Sequence, residues 1–274
     1  MLGESAAPAD REALRHALGL DRPLLTQYGA FLTGLATGDL GRSLVSGEPV
    51  ARLVAERVPA TLELTLGALV VAIVIALPLG VLAAARPGTW IDRAAVAFAL
   101  LGAAMPSFWL GPLLIIGFAI ELHVLPVSGR GGLAHLVLPA CTLGLGMSAI
   151  LTRMTRASVL ECVGEDYVRT ARAKGVGRVG VLARHALANA LAPVVTILGL
   201  QFGALLAGTV ITETIFAWPG VGRLTVEGIQ ARDYPVLQGC ILVIAAGFVL
   251  ASTLADVVNA ALDPRTRPGA PEVR

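Results

Sequence analysis

TLELTLGALVVAIVIALPLGVLAAA, Thr61–Ala85, is a continuous apolar run with one ionisable side chain, Glu63. About 20 such residues, wound as a helix, cross a hydrocarbon core of about 30 Å. Four more runs meet that length with few or no charges: Ala94–Ile120, Leu133–Leu151, Leu187–Ile211 and Val236–Leu262. The third is the shortest. Barrel strands would alternate apolar and polar residues over about ten positions, and these runs do not. The expected fold class is therefore an all-α integral membrane protein with five transmembrane helices. Composition agrees: 55% of residues are hydrophobic and only 15% charged, against about 25% charged in soluble domains.

The distribution of Lys and Arg between short loops sets the orientation of such a bundle. The segment Arg153–Arg184 holds seven (Arg153, Arg156, Arg169, Arg172, Lys174, Arg178, Arg184), Arg86 and Arg93 bracket another loop, and the tail holds Arg265, Arg267 and Arg274. These three regions are expected on the cytoplasmic side. Arg130 lies in one intervening loop and Arg223 with Arg232 in the other, both expected outside. The chain divides accordingly into an extracytoplasmic segment 1–60, a membrane domain 61–262 with a cytoplasmic loop 152–186, and a cytoplasmic tail 263–274. Five spans with the C-terminus inside place residues 1–60, with six basic and seven acidic side chains, outside. The opening residues show no basic start leading into an apolar core, so either the first span carries them across in reverse or an apolar helix encoded upstream of Met1 is expected to do so.

Several function classes lose their footing on composition. A net charge of +2 concentrated in one loop offers no face for nucleic acid. Cys141, Cys162 and Cys240 have no paired spacing, and the isolated His16, His123, His135 and His185 read as surface or packing residues, so no metal is expected. Ionisable residues inside spans usually mark function, yet Glu63, Glu213 and Asp256 sit near span ends, where they are expected to reach the interface. No nucleophile with a nearby base is readable. A proton relay or intramembrane enzyme has little to stand on. Pro78, Pro106 and Pro112 are expected to kink their helices, and Gly199 with Gly203 forms a GxxxG pair that is either a packing face or chance among 31 glycines.

Within the basic loop, Glu165 and Asp166 precede good helix formers and Lys174-Gly175 ends them, the charge and cap order of a short helix. The spacing predicts a helix over Asp166–Lys174. Tyr167, Thr170, Ala171 and Lys174 fall on one face, offering a ring, two small residues and a cation to a groove on another protein. From composition alone a topogenic basic loop without a partner is the favoured reading.

The string YVRTARAKGV…RHALANALAPVVT resembles the cytoplasmic coupling loop of ABC importer permeases, in the variant of the dipeptide/oligopeptide/nickel permease family. Thr170-Ala171 stands where other families have an alanine pair, Gly175 matches the loop glycine, and His185-Ala186-Leu187 with Pro193 fits the downstream element. No glutamate immediately precedes the pair, which is usual for this variant. A second match, ETIFAWPGVGRLTVEGIQARDYPVLQG (Glu213–Gly239), resembles the outside loop between the last two spans. On physical grounds alone, Phe216 and Trp218 suit an interfacial belt, Pro219-Gly220 a turn, and Arg232-Asp233-Tyr234-Pro235 a polar return into the last helix. Glu213, Trp218, Pro219, Gly220, Gly222, Arg232, Asp233, Tyr234 and Pro235 are thus the expected outer motif. Asp166, Tyr167, Arg169, Thr170, Ala171, Arg172, Ala173, Lys174 and Gly175 are the expected coupling residues. GLDRPLLTQYGAFLTGLATGDLGRSL (Gly19–Leu44), LPVSG (Leu125–Gly129) and LDPRTR (Leu262–Arg267) extend the resemblance over nearly the whole chain.

That resemblance implies an ABC importer permease fold with six spans in the family, set in a prokaryotic plasma (inner) membrane. It implies a second, paralogous permease, two cytoplasmic ATPases and an extracytoplasmic solute-binding protein as partners, besides membrane lipid. The solute would be a short peptide, with a nickel chelate or another small solute as alternatives. The chain has no G-x-x-x-x-G-K-[ST] loop, so ATP and Mg are expected on the partner ATPases and no cofactor on this chain. A secondary transporter, or another multi-span protein with a basic topogenic loop, is the reading from outside that class.

Overall fold

The computed structural model describes Glu12 and residues 21–177, 180–182 and 187–262. His16, Arg178, Arg184, His185, Ala186, the tail 263–274 and the ends of two quoted motifs lie outside the described residues. Among the described residues, these α-helices follow in chain order: α1 Leu24–Ala36, α2 Val50–Ala85, α3 Trp90–Ala104, α4 Ser107–Leu114, α5 Leu133–Gly164, α6 Asp166–Ala173, α7 Leu187–Gly208, α8 Val210–Ile215, α9 Val221–Ala231 and α10 Tyr234–Leu262. Among the described residues, α2, α5, α7 and α10 are long and apolar enough to cross a membrane, and the bent pair α3–α4 makes a fifth span if counted as one.

The core is the parallel pair α2–α5. Its α2 face reads Ala60, Leu64, Ala68, Ala72, Ala76, Gly80 and Ala84, one residue per turn and mostly small. Small side chains let helix backbones approach, which in lipid replaces the hydrophobic drive as the source of association. The approach is close enough that a Cβ on Gly80 would lie 2.6 Å from the Thr155 Cβ, and one on Gly144 2.7 Å from the Ala68 carbonyl oxygen. Leu143 and Met147, then Leu151, then Val159 pack along the same stripe. The GxxxG pair is a packing face: Gly199 of α7 lies against Ala255 of α10, and Gly203 against the Phe248 ring.

Two helices outrun the apolar stretches that announce them. α2 begins at Val50 and spans 36 residues. Its first turns are polar outside, with Arg52 paired to Glu56 at 2.9 Å, and apolar inside, where Val50 and Val54 meet Leu224, Val236 and Cys240. α5 runs 32 residues to Gly164, so the first part of the basic loop is helix.

The second span departs furthest from expectation. Ala94–Ile120 reads as one kinked helix, whereas the structure breaks it at Met105-Pro106 with a bend of 104°. The Pro106 ring crowds the preceding residue out of the α region, and Met105 sits at φ −83°, ψ 115°. A π-helical turn, Ile115–Glu121, follows α4 and its internal Pro112.

Candidate functional site: a short loop helix and a buried carboxylate cap

At the C-terminal end of α5, Glu165 alone separates it from α6. Asp166 lies in the first turn of α6 and Arg172 in the last, each at the end of the helix dipole that favours its charge. The helix is closed by a Schellman turn: Gly175 N–H donates to the Arg172 carbonyl at 3.0 Å and Val176 N–H to the Ala171 carbonyl at 3.1 Å. Gly175 takes φ 83° there, which suits the residue without a Cβ. The helix therefore ends one residue before the expected Lys174, which caps it.

The faces of α6 differ from the expected arrangement in one respect. Val168 and Ala171 point inward, onto Val176 and Val181. Ala171 is thus held inside the chain rather than offered beside Tyr167, Thr170 and Lys174. Asp166, Tyr167, Arg169, Thr170, Arg172, Ala173, Lys174 and Gly175 are exposed. Tyr167 is 39% exposed, and desolvation of its hydroxyl raises the phenol above its ordinary range.

The outer motif builds a buried polar cap. Glu213, on α8, is fully buried, not at the interface as its place near a span end led one to expect. Thr61 and Thr209 hydroxyls donate to its Oε1 at 2.7 and 3.0 Å, and Arg223 N–H to its Oε2 at 2.8 Å. The carboxylate faces the N-terminus of α9, whose dipole favours an anion. Thr61 also accepts Val221 N–H at 2.9 Å, joining α2 to α9. Gly220 and Gly222 make room for the carboxylate: a Cβ on Gly220 would overlap it, and one on Gly222 would come within 2.9 Å of Oε2.

Phe216 and Trp218 do not form an interfacial belt. Both are buried, because the turn after α8 folds them back: Ala217 takes φ 48° and Trp218 N–H reaches the Glu213 carbonyl at 2.8 Å. Trp218 Nε1–H donates to the Ala60 carbonyl at 2.7 Å, while Phe216 packs on Ala119 and Leu138. Pro219 leads into the α9 N-cap at Gly220.

The return into α10 uses Arg232 in the left-handed region, φ 55°, and a buried Asp233. Asp233 accepts from the Ser43 hydroxyl at Oδ2 and from Leu44 N–H at Oδ1, 3.1 Å. Tyr234 is exposed and Pro235 half-buried at the start of α10. Thr61 and Ser43, which complete these two carboxylate sites, escaped the sequence reading, since a lone hydroxyl in or before an apolar run carries no signal of its own. Asp92 and Arg156, paired across α3 and α5 at the inner side, escaped it too. Among the described residues no cluster of His, Cys, Asp and Glu could hold a metal. The buried carboxylates Asp92, Glu213 and Asp233 are each satisfied by protein donors, an arrangement for joining helices rather than proton transfer.

Residues 76–268 match the family model described as "Binding-protein-dependent transport system inner membrane component". The chain is 42% identical over 299 residues to the dipeptide transport system permease protein DppB of Escherichia coli (strain K12), covering 97% of this chain and 88% of that one. It is 44% identical over 256 residues to the glutathione transport system permease protein GsiC of the same strain, covering 93% and 84%. Its fold is similar to a chain in the inward-facing MetNI methionine ABC transporter, with a TM-score of 0.66 at 19% identity over 77% of this chain and 96% of that one.

Proposed function

The chain belongs to the family of binding-protein-dependent transport system inner membrane components, and from that premise we propose that α6 is its docking helix for a cytoplasmic ATPase. The protein is a membrane-spanning permease of an ABC importer of the dipeptide/oligopeptide type. It supplies half of the translocation pathway, a second permease the other half. Two ATPases hydrolyse ATP, holding nucleotide and Mg on their own residues, and an extracytoplasmic binding protein delivers solute. A short peptide is the solute, a reading supported by the dipeptide and glutathione named for the two relatives. The basic inner segments put the C-terminus in the cytoplasm. The ATP-driven reading displaces the secondary transporter.

One observation carries the docking assignment. α6 is a short helix with an exposed face, closed by a Schellman turn and joined by a single residue to a core helix. A push on it is a push on α5. Thr170 lies on that face, so Thr170→Leu adds bulk to the contact without lowering helix propensity, and overpacking a close contact costs about 1–3 kcal/mol. The variant is expected to reach the membrane at the wild-type level while its ATPase co-purification falls several-fold and dipeptide uptake with it. Wild-type co-purification and uptake would remove α6 from the interface.

A further inference from the structure

Neither the outer cap nor α6 uses the most closely joined charged pair of the inner half. Asp92, in the first turn of α3, is 5% exposed. Arg156 of α5 grips it with a fork, Nε donating to Oδ1 and Nη2 to Oδ2, the latter at 2.9 Å. The same carboxylate accepts Gly88 N–H at 2.9 Å, so it also fixes the turn between α2 and α3. A bidentate pair constrains orientation as well as distance. Separating it leaves the Asp92 carboxylate, buried to 5% exposure, without its cation, while the Arg156 side chain stays 29% exposed, so the pair is held together chiefly from the Asp92 side.

The pair's neighbours make that coupling directional. Thr155, next to Arg156, abuts Gly80 of α2 with no room for a Cβ between them. Two successive residues of α5 therefore tie it to α2 and to α3. Beyond them α5 continues to Gly164 and, through Glu165, to α6. At the other end of α3 the chain breaks at Met105-Pro106, with the 104° bend into α4. Further along α3, the contact with α5 is the apolar approach of Gly102 to the Ala149 Cβ, 3.2 Å from where a Gly102 Cβ would stand, which resists sliding far less than an ionic fork.

We propose that Asp92 and Arg156 are positioning residues for transport: they carry movement of α6 and α5 into α3, so that the inner end of α2, the α2–α3 turn, α3 and α5 move as one body and α4 swings against it at Met105-Pro106. The proposal rests on α6 being the ATPase-docking helix. A static brace and a transmitting link differ in what the assembled complex does. Loss of a brace lowers the amount of complex and leaves each assembled complex responsive. Loss of a link leaves the complex assembled and deaf to its substrate.

The complete importer, with both permeases, both ATPases and the binding protein, is reconstituted in proteoliposomes carrying Asp92→Asn, Arg156→Gln or both. Each variant is expected to retain the ATPase at the wild-type amount and to hydrolyse ATP at the basal rate. The stimulation of that rate by binding protein with dipeptide is expected to vanish, and uptake to fall at least tenfold. The double variant should be no worse than the poorer single, as two ends of one link must be. Arg156→Lys keeps the charge but not the fork and should lose most of the stimulation, which decides the matter even if the neutral variants do not accumulate. Wild-type stimulation in Asp92→Asn or Arg156→Lys overturns the proposal. So does loss of the ATPase from these variants, since the pair would then act on docking itself. Failure of the wild-type permease to bind the ATPase through α6 would instead sink the docking assignment.

Discussion

Glu213 shows how much a single side chain can organise here and how little of it is local. Its carboxylate gathers Thr61, Thr209 and the first turn of α9, and Trp218 and Phe216 fold in around the same turn. Hydrogen bonds to a charged group contribute about 1.5–3 kcal/mol each at most, so Glu213→Gln, similar in size but uncharged, is expected to lower the thermal midpoint of the detergent-solubilised protein. Gly220→Ala should do at least as much damage, because its methyl has no space beside the carboxylate. Unchanged midpoints for both would mean the cap bears no load. The turn residues Pro219-Gly220 and the acidic character of position 213 could be read from the sequence. The burial could not, because the partner hydroxyl of Thr61 lies 152 residues away. For the same reason Asp233 read only as part of a polar return into the last helix: Ser43 is distant in the chain and adjacent in the fold.

At the scale of elements, what is governed by neighbouring residues was legible and what depends on contacts from elsewhere was not. The bounds of α6 follow from Asp166 at one end and Lys174-Gly175 at the other, so they were readable to within a residue. The inward turn of Ala171 depends on Val181 coming back beneath the helix, and no pattern inside Asp166–Lys174 encodes that. Pro106 announced a bend in the second span but not its size, since a missing donor does not say how far the following helix swings. The polar first turns of α2 disguised a helix that is amphipathic before it is apolar. The GxxxG face of α7 admits a direct check. Gly199→Leu would drive its side chain into Ala255 and should destabilise the α7–α10 pairing by about 1–3 kcal/mol. Gly146→Ala, with open space around it, should be neutral or stabilising by up to about 1 kcal/mol from helix propensity. Equal effects of the two substitutions on thermal unfolding would deny the packing role.

For the whole molecule, the parallel α2–α5 pair forms a spine between the two functional ends. The Glu213 cap grips its outer end through Thr61 and Ala60, and α6 hangs from its inner end through Glu165. The apolar runs disclosed the long helices in outline, because membrane thickness acts on long segments rather than single contacts. The pairing of α2 with α5 over other helix pairs was hidden, since its small-residue stripe resembles the small residues scattered along the other spans. The central claim is that the exposed face of α6 sits in an ATPase. It is tested most directly by cysteine cross-linking in membranes of cells making the full importer, with Cys141, Cys162 and Cys240 replaced by serine and a single cysteine placed at Arg169. The account predicts a cross-linked product containing permease and ATPase, formed from the cytoplasmic side and changing in yield when ATP is bound. A cysteine at Arg169 that never joins the ATPase, while one at exposed Val127 does, would contradict it.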